Sequence, residues 1–70
     1  MSLVVRFKRN TAYNEVNRRI LQLGVLGSQL VFEANGNVAL SARVNVDADN
    51  ELRISRAIRF IPQVESVTRT

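Results

Sequence analysis

The chain has no cysteine, no histidine and no tryptophan, one proline and three glycines. Without cysteine there is no disulfide staple, no thiolate metal ligand and no thiol nucleophile. Without histidine, the usual proton carrier near neutral pH and the commonest transition-metal ligand are both missing. No apolar run approaches the ~20 residues that a membrane-spanning helix needs. Met1-Ser2-Leu3-Val4-Val5-Arg6 has no basic stretch leading into an apolar one, so no secretory signal is visible. There is no Gly/Ser/Pro linker, no low-complexity tract and no internal repeat.

What remains is an ordinary folding mixture. Seventy residues, 46% hydrophobic and 23% charged, are enough for one hydrophobic core and no more. Ten Lys and Arg against six Asp and Glu give +4, which permits an anionic partner without requiring one. Residues 1–70 read as a single domain. Met1-Ser2 directly ahead of an apolar run, and a C-terminus that stops within a strand pattern, read as the ends of a module excised from a longer chain.

Leu3, Val5 and Phe7 alternate with Val4, Arg6 and Lys8, the period of a half-buried strand. Asn10-Thr11 then offers a helix cap, with Glu15 early enough to favour the helix dipole. Over residues 12–23 the period changes: Tyr13, Val16, Ile20 and Leu23 share one helical face, and Gly24 stands where a C-cap glycine belongs. Two strands follow around Asn35-Gly36. A three-residue loop, Ala34-Asn35-Gly36, would pair Phe32 with Val38, Leu30 with Leu40 and Leu26 with Val44, all on one face; a two-residue Asn-Gly loop would mix the faces. The three-residue loop is therefore expected. Asp47-Ala48-Asp49-Asn50-Glu51 reads as caps and first-turn acids. Ile54, Ala57, Ile58 and Ile61 form the buried stripe of a second helix that Pro62 stops, with Arg56 and Arg59 pointing away. Val64 to Thr70 is a last strand with Val67 in the core and Val64 in the connector.

The order β-α-β-β-α-β predicts an α+β sandwich. A four-stranded antiparallel sheet, order 4-1-3-2, would carry both helices on one face, the ferredoxin-like arrangement. The expected core is Leu3, Val5, Phe7, Val16, Ile20, Leu23, Leu26, Leu30, Phe32, Val38, Leu40, Val44, Ile54, Ile58, Ile61 and Val67.

The uncovered sheet face would show Val4, Arg6, Lys8, Gln29, Val31, Glu33, Ala39, Ser41, Arg43 and Thr68. Arg6, Lys8 and Arg43 are the candidates for a polyanion site. An RNA reader would stack bases on exposed aromatics of the central strands, whereas Phe7 and Phe32 have core parity, so nucleic acid is disfavoured. Leu21 and Phe60 fall off the buried helical stripes. With Val4 and Val31 they are the candidates for a self-association or docking surface. Asp47, Asp49 and Glu51 could hold a metal or act as acid and base, but helix capping accounts for all three. The serines at 28, 41, 55 and 66 have no histidine to activate them, and there is no glycine-rich phosphate loop. No catalytic residue, metal or cofactor is expected.

Ile58-Arg59-Phe60-Ile61-Pro62-Gln63-Val64-Glu65-Ser66-Val67 resembles the last helix and strand of ACT domains, small regulatory modules of this topology, and the Leu23-Gly24-Val25 helix exit is similar too. Amino-acid-binding members carry an Asp-x-x-Gly-like turn after the first strand, and Lys8-Arg9-Asn10-Thr11-Ala12 has no glycine. The stretch Leu3-Val4-Val5-Arg6-Phe7 and that glycine-free turn resemble the cytoplasmic C-terminal domain of MgtC/SapB-type bacterial membrane proteins. The resemblance implies a non-catalytic regulatory or protein-interaction module, paired with a copy of itself or with a neighbouring domain of its parent. It also implies a cytoplasmic location, with any membrane attachment through an N-terminal region outside these residues.

Overall fold

A computed structural model describes residues 1–70. The elements are β1 (Ser2–Phe7), α1 (Tyr13–Gln22), β2 (Leu30–Asn35), β3 (Val38–Asn45), α2 (Ala48–Arg59) and β4 (Val64–Arg69), with a single 3₁₀ turn at Gly27–Gln29. The four strands make one antiparallel sheet in the order β2-β3-β1-β4, which is 4-1-3-2 counted from the β4 edge. Residues of both helices and of all four strands meet in one hydrophobic cluster, so both helices cover the same face and the other face is open. The arrangement is α+β and compatible with a ferredoxin-like fold. Its radius of gyration, 10.8 Å, is close to the ~11 Å expected of a compact chain this long.

The register explains which side chains are buried. Leu30, Val44, Leu3 and Arg69 form one cross-strand row on the helix side, and Phe32, Ala42, Val5 and Val67 form the next. Against them lie Val16 and Ile20 of α1 and Ile54 and Ile58 of α2, all buried. Each such aliphatic side chain removed from water contributes about 1.5–3 kcal/mol. Phe32 is half-buried at the edge of this layer. Its ring stacks on Phe7 (centroids 5.8 Å apart) and meets Tyr13 edge-on at 4.8 Å.

The hairpin differs from the expected one. Asn35 pairs with Val38, so the loop is the two residues Gly36-Asn37, with the positive φ at Gly36 (60°) that the first position of a type II′ turn requires. Beyond Ala34↔Ala39 the register shifts by one residue, and Leu40 is bulged out. Phe32 therefore pairs with Ala42, not Val38, and Leu30 with Val44, not Leu40. The cause lies in the loop after β1: Tyr13 N–H donates to Asn37 O (2.8 Å) and Ala39 N–H to Thr11 O (2.9 Å). These bonds draw Ala39 under the helices. Because Ala42 also faces inward, the intervening pair must contain an extra residue. Leu40 is consequently 46% exposed, while Ala39, expected on the open face, is buried.

Leu26 is corrected as well. The 3₁₀ turn takes Gly27–Gln29 out of the strand, with the Gln29 side chain accepting from Leu26 N–H at 2.9 Å, and Leu26 is left 63% exposed. Gln29 thus sits in this turn and not on the sheet. A second bulge, between Arg6 and Phe7 on the pairing with β4, lets both Val64 and Val67 face inward, so Val64 belongs to the core and not to a connector. Asn10-Thr11 does not cap α1. Ala12 is the N-cap residue, Asn10 takes the left-handed conformation (φ 63°), and Thr11 Oγ1 donates to Lys8 O. Gly24 (φ 97°) ends α1 as expected.

Candidate interaction surfaces

Two rows of side chains stand on the open face, interleaved with the buried rows. Val31, Arg43, Val4 and Thr68 form one; Glu33, Ser41, Arg6 and Ser66 form the other. Arg43 is directly opposite both Val4 and Val31, which brings these two candidates together around one guanidinium. Over them lies a shallow depression of about 340 Å³. Arg6 is opposite Ser41 and thus diagonal to Arg43, a separation of about 7–8 Å between backbones that long side chains readily bridge. Neither arginine has a salt-bridge partner. Lys8 lies past the end of β1, where its N–H donates to Gln63 O at 2.8 Å, so it is not a member of either row.

Leu21 and Phe60 are on the other side of the molecule, in the helical layer. The four interaction candidates therefore do not make one surface. Phe60, the C-cap residue of α2, is 87% exposed and stands at the rim of a groove of about 230 Å³ that Arg19 and Gln22 of α1 and its C-cap residue Leu23 line from the opposite side. Leu21 is only marginally exposed.

The two edge strands differ in ways that sequence reading missed. On β4, Val64 and Val67 are buried, the Arg59 guanidinium of α2 donates to Val67 O at 3.4 Å, and Arg69 pairs with Glu51 of α2 at 3.2 Å. Glu51 is a first-turn acid of α2, as expected, and it is also buried, on the stripe of Ile54 and Ile58, to which its spacing of three and seven residues assigns it. The acidic trio is accordingly split. Asp47 stands at the N-cap of α2 without a capping hydrogen bond from its side chain, Asp49 is exposed, and Glu51 turns inward. On β2, by contrast, no side chain bonds the backbone, and Val31 is 62% exposed.

The remaining charge is mostly local. Glu15 accepts from Arg19 Nε at 3.0 Å and Arg18 Nη2 at 2.6 Å. The Arg19 hydrogen bond first, and the Arg18 charge second, hold its carboxyl below the ordinary value. No helix is long and apolar enough to cross a membrane. No protein family, curated protein or solved structure matches the chain.

Proposed function

We propose that the chain is a non-catalytic, ACT-like regulatory or protein-interaction module that works by pairing its β2 edge with the β2 edge of a second copy. What supports this reading is the difference between the edges. In an antiparallel edge strand alternate residues turn N–H and C=O outward, a template for another strand. At β4 the Arg59 guanidinium and a bulge whose extra residue lies on the edge strand itself interrupt that template; at β2 no side chain does so, and the extra residue of its irregular pairing lies on β3. Leu30–Asn35 also carries one charge, Glu33. Antiparallel pairing centred on Phe32 sets Val31 of each copy opposite Glu33 of the other, whereas centring on Glu33 would oppose two like charges. The resemblance of Leu3-Val4-Val5-Arg6-Phe7 to the cytoplasmic domain of MgtC/SapB-type membrane proteins extends the reading to a module that couples copies of such a parent. The turn Lys8-Arg9-Asn10-Thr11-Ala12 lacks the glycine of amino-acid-binding ACT domains, which fits a module that pairs and does not bind an amino acid.

Size-exclusion chromatography with light scattering tests the proposal. A dimer that Val31→Asp dissociates, with the fold retained by circular dichroism, supports it. A strict monomer at hundreds of micromolar, or a dimer indifferent to Val31→Asp, overturns it.

A second reading has its own observation. Arg6 and Arg43, diagonal to each other without a carboxylate partner and beside Ser41, Ser66 and Thr68, suit a polyanion lying across the open face. Binding to heparin that falls steeply with salt and with Arg43→Glu supports it; absence of binding at low salt removes it.

A further inference from the structure

The outer face of α2 is unusual for a solvated helix. Asp49, Leu52, Arg56 and Phe60 follow one another at three- and four-residue steps, and Arg53, four residues after Asp49 and three before Arg56, lies beside them, on the face opposite buried Ile54 and Ile58. Leu52 is 53% exposed, and Phe60 is the most exposed of the large apolar side chains. Arg56 makes no hydrogen bond or salt bridge. Arg53 makes only long contacts, 3.5 Å to Leu23 O and 3.4 Å to Asn50 Oδ1. Asp49 is the one acid on this face, and no cation pairs with it. Arg18 and Arg19, by contrast, are tied to Glu15 on α1.

We propose that this face of α2 rests on an anionic lipid surface, Phe60 and Leu52 entering the interface and Arg53 and Arg56 meeting headgroup phosphates. Large apolar side chains among arginines on the exposed side of a helix are the pattern by which a helix lies on a bilayer without crossing it. Charge complementarity selects an anionic over a neutral surface, and the guanidinium fork suits phosphate oxygens. A soluble acidic protein would satisfy the arginines but would need a pocket for an aromatic that projects from the rim of its own groove. The proposal does not depend on the β2 edge, which belongs to another part of the molecule.

The absence of tryptophan makes a clean test. Phe60→Trp introduces the only indole at a position outside the core, so folding is not at stake. With vesicles of phosphatidylglycerol and phosphatidylcholine, its emission is expected to shift to the blue and the protein to sediment with the lipid. Vesicles of phosphatidylcholine alone should give neither. Arg56→Ala should lower the partition coefficient about fivefold, the equivalent of ~1 kcal/mol per basic residue near the surface, and Phe60→Ser about tenfold. No blue shift with anionic vesicles, or equal binding to neutral ones, overturns the proposal. So does a shift that follows protein concentration without lipid, since a second copy would then occupy the face; a dimer through β2 leaves residue 60 in water and produces no such shift.

Discussion

Both edges of the sheet are six-residue strands, yet one is fastened to the helical layer and the other hangs from a ring stack. β4 is held by two buried valines, by Arg69 on Glu51 and by Arg59 on Val67 O. β2 is held mainly by Phe32, half-buried between Phe7 and Tyr13. A small sheet has two edges to protect and few side chains to do it with. Here the longer helix, α2, lies against β4 and supplies the guards, while Tyr13 of α1 meets Phe32 of β2. The exposed edge is thus also the less firmly packed one, which suits a surface that adapts to a partner.

The largest effect is expected where β2 depends on one side chain. Phe32→Ala should lower stability to urea by about 2–3 kcal/mol, short of the ~3–5 kcal/mol of a fully buried phenylalanine. A loss below about 1 kcal/mol would mean that the ring stack does not anchor the edge. Val31→Asp comes next. It should weaken dimerisation at least about tenfold while changing monomer stability by no more than about 0.5 kcal/mol, as for most exposed positions, measured by light scattering beside urea titration. Arg59→Ala should cost under about 1 kcal/mol, since its hydrogen bond is long and partly exposed. Placed on Val31→Asp, it should restore some association by opening β4, and sedimentation velocity would report this; a strict monomer would show that the arginine is no guard.

The smallest effect concerns Glu15 and its two arginines, Arg18 and Arg19, which belong to neither edge. Because the folded carboxyl of Glu15 titrates below its ordinary value of 4.5, its stabilising contribution is present above that value and fades as pH falls through the lowered one. Glu15→Gln should lower stability slightly at neutral pH and not in acid, so that the parent's small acid-side loss disappears in the variant. An identical acid profile for both proteins would show that these contacts contribute nothing measurable.

Much of this molecule can be read from spacing. The strand period of Leu3, Val5 and Phe7, the helical stripes of Val16 and Ile20 and of Ile54 and Ile58, and Gly24 at a helix exit all announce themselves, because local sterics and burial of one face act over a few residues. The hairpin could not be read the same way. Its register depended on hydrogen bonds from Tyr13 and to Thr11, more than twenty residues away in sequence, and on two small residues, Ala39 and Ala42, whose burial no hydrophobic pattern flags. Leu26 and Leu40, which the apolar pattern places in the core, are left in water. Of the candidate site residues, Val4, Val31, Arg6 and Arg43 were correctly assigned to one face. Lys8 follows the last residue of β1 and stands outside the paired rows.

The sequence by itself determined the order of the elements, the parity of the first strand and the buried stripes of both helices, since each follows from a period set by backbone geometry. It also determined that chemistry based on cysteine or histidine has no place here. Only the tertiary structure decided where the strands slip past one another and which edge is guarded. It also decided that Glu51, in the first turn of α2, is buried and pairs with Arg69 of β4. Those outcomes turn on contacts between residues far apart in the chain, and a one-residue bulge exchanges what faces the core for what faces water.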